Sequence, residues 1–102
     1  EANAPLQVSR AHDGWSEQTA DDWFTACAAA VRGLGVDLSG VQGIGLSGHM
    51  HGATLIDANG AALRPCMLWN DTRAAVEAAE MDANPIWRKV TGNIVFPGFT
   101  AP

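Results

Sequence analysis

The sequence predicts an α/β fold, and three observations carry that prediction. A stretch with helical periodicity opens at Thr19 and is followed by a small, apolar, glycine-rich run, Gly43 to Gly52. Asn59-Gly60 lies between two further apolar runs, which is the strongest short-range signal for a hairpin. Asn70-Asp71-Thr72 then heads a second, alanine-rich helical stretch. The order strand, helix, strand, hairpin, helix is that of an α/β protein.

In chain order, Leu6-Gln7-Val8-Ser9 alternates as a half-buried strand does, and Arg10 to Gly14 reads as a loop. Trp15-Ser16-Glu17-Gln18 lies between that loop and the helix start, where a large aromatic serves more often as a lid on the core than as a ligand platform. Thr19 is a good N-cap, with Asp22 three residues on and Asp21 also in the first turn, where the helix dipole favours negative charge. Trp23, Phe24, Cys27, Ala28, Val31 and Leu34 recur at spacings of three and four, giving one apolar stripe to lay on a sheet. Arg32 and Asp22 point to solvent, and Gly33 and Gly35 supply the stop.

After a loop from Val36 to Gly40, Val41, Ile44 and Leu46 are expected to form a buried strand. Gly43 and Gly45 within it imply a close neighbouring backbone. Ala53 to Ile56 and Ala62 to Trp69 form the hairpin arms around Asp57 to Gly60, and Pro65 puts the second arm at an edge or marks a bulge. Asn70-Asp71-Thr72 is expected to cap a helix running through Met81. Pro85 is expected to end the segment beyond that helix. The tail from Trp87 to Pro102 mixes a short helical turn with loop signals at Thr91-Gly92-Asn93 and Pro97-Gly98-Phe99-Thr100-Ala101-Pro102.

Composition narrows the function classes. At 102 residues the chain can bury roughly 65% of its unfolded surface, enough for one core. A net charge of -5 without a Lys or Arg run argues against nucleic acid and anionic membranes as partners. No apolar run reaches the roughly 18 residues of a membrane span. Cys27 and Cys66 stand in apolar or small contexts, which favours buried free thiols over a disulfide and hence a cytoplasmic location. The sequence begins at Glu1 and stops at Pro102 without an initiator Met, and reads as a piece of something larger.

Two polar clusters stand at expected strand ends, His49-Met50-His51 and Trp69-Asn70-Asp71-x-Arg73. Carried on neighbouring strands they would line one cleft from two sides. The side chains suit a small polyhydroxylated molecule. Trp69 offers a flat face to C–H groups, Asn70 donates and accepts, Asp71 accepts from paired hydroxyls, and His51 can do either. Each has a structural alternative: Asn70 and Asp71 are also what a helix N-cap requires, and Arg73 can simply pair with Asp71 or Glu77. His49 and His51 are two apart but lack a third ligand at zinc-site spacing. Neither G-x-x-x-x-G-K-[ST] nor G-x-G-x-x-G occurs, so no phosphate cradle is recognisable, and Ser47 departs from G-x-S-x-G at His49.

Taken together, Ser47-Gly48-His49-Met50-His51-Gly52-Ala53-Thr54-Leu55, Leu68-Trp69-Asn70-Asp71-x-Arg73, Thr91-Gly92-Asn93 and Pro97 to Pro102 closely resemble the bacterial xylulokinases of the FGGY carbohydrate kinase family. Trp15 to Gln18 and Asp22-Trp23-Phe24 are similar to the loop and first helix of that family, so the resemblance spans essentially the whole chain. It implies part of the N-terminal domain of a ribonuclease-H-like, actin-like ATPase fold, a mixed sheet with flanking helices. It also implies transfer of the γ-phosphoryl of ATP to the 5-hydroxyl of D-xylulose with Mg²⁺, in a protein that is often a homodimer. The sugar contacts it carries over are Met50 and His51, and Trp69 by way of the related glycerol kinases, with Asn70, Asp71 and Arg73 on the same rim. His49 departs from a common Gln, which bears on sugar preference more than on the reaction. The family's phosphate-loop hairpin is expected before Glu1 and its catalytic Asp after Pro102, so these residues alone are expected to be inactive. The rival reading is a non-catalytic carbohydrate-binding or interaction module on a kinase-like fold.

Overall fold

Polar and charged residues share the centre of this chain with apolar ones. The structure is a computed structural model that describes residues 1–98. In it Cys66, Leu68 and Ala78 are the buried hydrophobic residues, alongside buried Ser16, Glu17 and Asp71. The radius of gyration is 17.4 Å, against about 13 Å for a compact domain of this size.

The elements are β1 (Glu17–Gln18), α1 (Ala20–Gly33), β2 (Cys66–Met67), α2 (Ala75–Asp82) and α3 (Pro85–Thr91). β1 and β2 are antiparallel, with Glu17 opposite Met67 and Gln18 opposite Cys66. Isolated bridges widen this pair on both sides, Ser9 to Glu17 and Ala53 to Met67. The expected strand from Leu6 to Ser9 is therefore reduced to one bridge at Ser9, and Leu6 and Val8 remain exposed.

The hairpin forms around its Asn-Gly signal. Ile56 bridges Ala62, and Gly60 N donates to Asp57 O at 3.1 Å with Gly60 at φ 84°. Asn59 has no positive φ, so the turn takes its left-handed residue at glycine alone and is pinned by Asp57 Oδ1, which accepts from Asn59 N and Ala61 N. From the Ile56–Ala62 bridge to the Ala53–Met67 bridge one arm moves three residues and the other five. The extra length falls around Arg64-Pro65, so Pro65 marks a bulge, one of the two outcomes expected for it.

α1 begins as expected: the Thr19 side chain accepts from Asp22 N at 3.3 Å. It does not pack on a sheet. None of its residues is buried, Phe24 is 78% exposed, and Cys27 is exposed where a buried thiol was expected. The strand expected beneath it is also missing: residues 41 to 46 carry no strand, and Leu46 is 93% exposed. A strand must find partners for its backbone N–H and C=O groups, and apolar side chains alone do not supply them. Among the described residues no neighbouring strand offers such partners.

Two helix boundaries also differ from expectation. Asn70-Asp71-Thr72 does not cap α2, whose N-cap is Ala74 without a side-chain bond, because Asp71 is engaged elsewhere. Pro85 opens α3 instead of ending a segment. It occupies the first turn, where its missing N–H costs nothing, and the Asn84 side chain caps the helix by accepting from Ile86 N. Gly92 closes it at φ 70°. Asp82 ties the two helices together by accepting from the Arg88 guanidinium and from Val95 N. The expected loop at Pro97-Gly98 is a turn, and Phe99 to Pro102 lie outside the described residues.

Candidate functional site

The two expected polar clusters meet in part, the His49-Met50-His51 loop with Trp69 of the second. Ala53 pairs with Met67, so the loop entering one arm stands beside the segment leaving the other. Between them lies an open cleft of about 410 Å³ lined by Gly48, His49, Met50, His51 and Trp69. It forms where the loop enters the hairpin arm, not at the end of a strand over residues 41 to 46.

The loop is held by local geometry. His51 takes φ 62°, a left-handed conformation that few side chains other than glycine adopt without strain. Gly52 comes next in a close approach: a Cβ there would lie 2.8 Å from Cys66 Sγ and 2.9 Å from His49 Cδ2. Met50 and Trp69 are 67% and 53% exposed, so both present surface to a ligand. Across the cleft, Trp69 N donates to His49 Nε2 at 3.3 Å.

Asn70 is exposed beside Trp69, whereas Asp71 and Arg73 turn away from the cleft lining into a charged cluster. Asp71 Oδ2 accepts from Ser16 N at 2.8 Å and from Arg73 Nη2 at 2.6 Å, while Oδ1 accepts from Arg73 N and Nε. Arg73 Nη1 reaches Glu17 Oε1 at 2.9 Å, and Arg64 Nη2 reaches the same oxygen at 2.8 Å. The Arg73 guanidinium lies 3.6 Å from the Trp15 ring centroid, a cation–π contact. Trp15 is thus a lid, as expected, but over an ion cluster. Arg73 pairs with Asp71, as one of its alternatives had it, with only 15% of its side chain exposed.

Burial is the largest influence on the Asp71 carboxyl and opposes its ionisation. The hydrogen bonds from the Arg73 side chain, Ser16 N and Arg73 N, with the Arg73 charge, outweigh burial and hold Asp71 below the usual carboxylate range. The same Asp71 bonds raise the Arg73 guanidinium, with Glu17 adding to them.

Sequence reasoning does not find Glu17 and Arg64 as members of this cluster. They are 47 residues apart, and nothing in either neighbourhood marks a pair. Gly98 is marked by the sequence only as a loop residue. At φ 71°, a Cβ on it would lie 2.5 Å from Trp69 O and 2.6 Å from Asp71 O, so the 97–98 turn packs directly on the segment carrying the second wall.

Known proteins resemble this chain in sequence and in backbone fold. The N-terminal domain of the FGGY family of carbohydrate kinases matches residues 1–102. The chain belongs to the FGGY family. Among its relatives, the xylulose kinases of Escherichia coli (strain K12) and Klebsiella pneumoniae are 48% and 47% identical to it over 100 residues. Each alignment covers 95% of this chain and 21% of the relative. The crystal structure of a "xyloylose kinase" from Brucella ovis superposes with a TM-score of 0.91 at 57% identity, over 97% of this chain and 22% of that one. This FGGY chain thus spans about one-fifth of the length of these relatives.

The described residues of this FGGY chain do not fit a magnesium–triphosphate group. Magnesium is held by carboxylates together with phosphates. The buried Asp71 and Glu17 carboxylates are already taken by arginines, and no three His, Cys, Asp or Glu gather as a metal site among the described residues. No described helix is long and apolar enough to cross a membrane.

Proposed function

We propose that this chain is part of the N-terminal domain of a longer sugar kinase that transfers the γ-phosphoryl of ATP to the 5-hydroxyl of D-xylulose, and that it supplies the sugar-binding wall. The observation that carries this reading is the convergence of Met50, His51 and Trp69 on one cleft in an FGGY chain whose relatives include xylulose kinases. A volume of about 410 Å³ lies within the range of small-ligand sites. Trp69 would stack on sugar C–H groups, His51 would donate to or accept from a hydroxyl, and Met50 would shape the apolar side. Asn70 would add an amide at the rim, while Asp71 and Arg73 hold the wall through Ser16 and Glu17. ATP, Mg²⁺ and the catalytic base would be provided by other parts of the protein, so the 102 residues alone would be inactive. The ribonuclease-H-like fold and a homodimeric, cytoplasmic enzyme belong to the same proposal.

Coupled ADP release by the full-length protein tests it. D-xylulose should support turnover, and His51→Ala should raise the KM for the sugar about tenfold or more, the effect of losing a hydrogen bond to a polar substrate, with the KM for ATP nearly unchanged. Equal loss for both ligands would assign His51 a folding role. Sugar binding without turnover in the parent protein would favour the non-catalytic module.

A further inference from the structure

His49 makes more contacts than a residue that only lines the cleft needs to make. β2 ends at Met67, whose N–H pairs with Ala53 O, and the next N–H, of Leu68, goes to Ser16 O. At Trp69 the ladder of backbone acceptors has run out, and the acceptor is a side chain, His49 Nε2. A neutral imidazole that accepts at Nε2 carries its proton at Nδ1. The ring is held on two sides. It lies parallel to Trp23 within 22°, with centroids 6.5 Å apart, and Trp23 is itself tied to β1 through Nε1–H to Gln18 Oε1 at 2.8 Å. Its Cδ2 edge faces Gly52, where the absent side chain leaves room for Cys66 Sγ to approach. The imidazole thus sits between Trp23 of α1 and the close approach at Gly52, and its Nε2 holds the backbone from which the Trp69 indole projects.

We propose that His49 is a positioning residue for sugar binding: it fixes Trp69 across the cleft from Met50 and His51 by giving the Trp69 N–H its acceptor. The inference rests on the reading of the cleft as the sugar site. What matters on this account is an acceptor at the right reach, not an imidazole. Glutamine and methionine have unbranched side chains of similar length, and only glutamine carries a strong acceptor.

The test uses full-length protein with His49→Gln and His49→Met, each compared with the parent in amide hydrogen exchange at Trp69 and in steady-state kinetics. His49→Met should speed exchange at the Trp69 amide and raise the KM for D-xylulose, each about fivefold, as the loss of one neutral hydrogen bond predicts. The effect should fall on that KM more than on kcat and leave the KM for ATP in place. His49→Gln should stay within about twofold of the parent in both measurements, since it restores the same bond. Unchanged Trp69 exchange in His49→Met overturns the proposal whatever the kinetics show, and equal loss in the two variants overturns it by making the imidazole itself the requirement. Faster exchange with an unchanged sugar KM overturns the link from Trp69 to the sugar. A parent protein that does not turn over D-xylulose overturns the sugar-site reading instead, and the exchange data still decide whether His49 holds Trp69.

Discussion

Residues 41 to 46 and residues 71 to 73 invert the usual relation between hydrophobicity and burial. The first stretch is almost wholly apolar and glycine, yet Ile44 and Leu46 are 83% and 93% exposed. The second carries two full charges, yet Asp71 is 2% exposed. The difference lies in where the partners are. Asp71 finds its full complement among the described residues, from Ser16 N, 55 residues away in sequence, and from the guanidinium and N–H of Arg73. An apolar strand needs a neighbour along its whole backbone, and the described residues offer residues 41 to 46 none.

The largest expected effect is on Asp71. In the full-length protein, Asp71→Asn keeps the shape and an acceptor for Ser16 N but leaves Arg73 short of a charge, which should cost roughly 3 kcal/mol, as breaking a buried pair does. Urea unfolding at neutral pH measures this, and a loss below about 1 kcal/mol would place the pair with ordinary surface bridges. The carboxyl is held below its usual range in the folded chain. Its contribution is therefore fully present above the unfolded value, about 4, and is lost as pH falls through the lower folded value. The gap between wild type and Asp71→Asn should stay constant from neutral pH down to about 5 and shrink below about 4.

The apolar side of the comparison can be broken more directly. If other parts of a longer kinase cover residues 41 to 46, their amides should exchange at least about 100-fold more slowly in the full-length protein than in the isolated 102-residue chain. Equal, fast exchange in both would mean that this stretch is surface loop in the enzyme too.

The same contrast explains which features are legible in the sequence. Local chemistry is: Thr19 caps α1, Asp57 to Gly60 turns the hairpin, and Pro65 marks a bulge. The meeting of the His49–His51 loop with Trp69 is legible too, because the hairpin that joins them is itself local. The α2 start misleads because Asn70-Asp71-Thr72 has the composition of a cap, whereas a distant donor, Ser16 N, competes for the same carboxylate. Pro85 misleads because proline both ends and opens helices, and only the Asn84 cap before it decides which. Glu17 and Arg64 are paired by topology, which no local pattern encodes.

The smallest effect is expected inside the charged cluster itself. Ser16 contributes its backbone N–H to Asp71, but its Oγ is buried without a hydrogen-bond partner among the described residues. A buried hydroxyl left unsatisfied carries its desolvation cost with no return. Ser16→Ala removes that group, keeps the N–H that Asp71 uses, and takes away a single small atom that makes no polar contact. Urea unfolding of the full-length variant should therefore show a stability equal to or up to about 1 kcal/mol above the parent. A loss of more than about 1 kcal/mol would mean that a bound water or another part of the protein satisfies Oγ. The cluster would then not be self-contained, and the contrast between its internal partners and the missing partners of residues 41 to 46 would narrow.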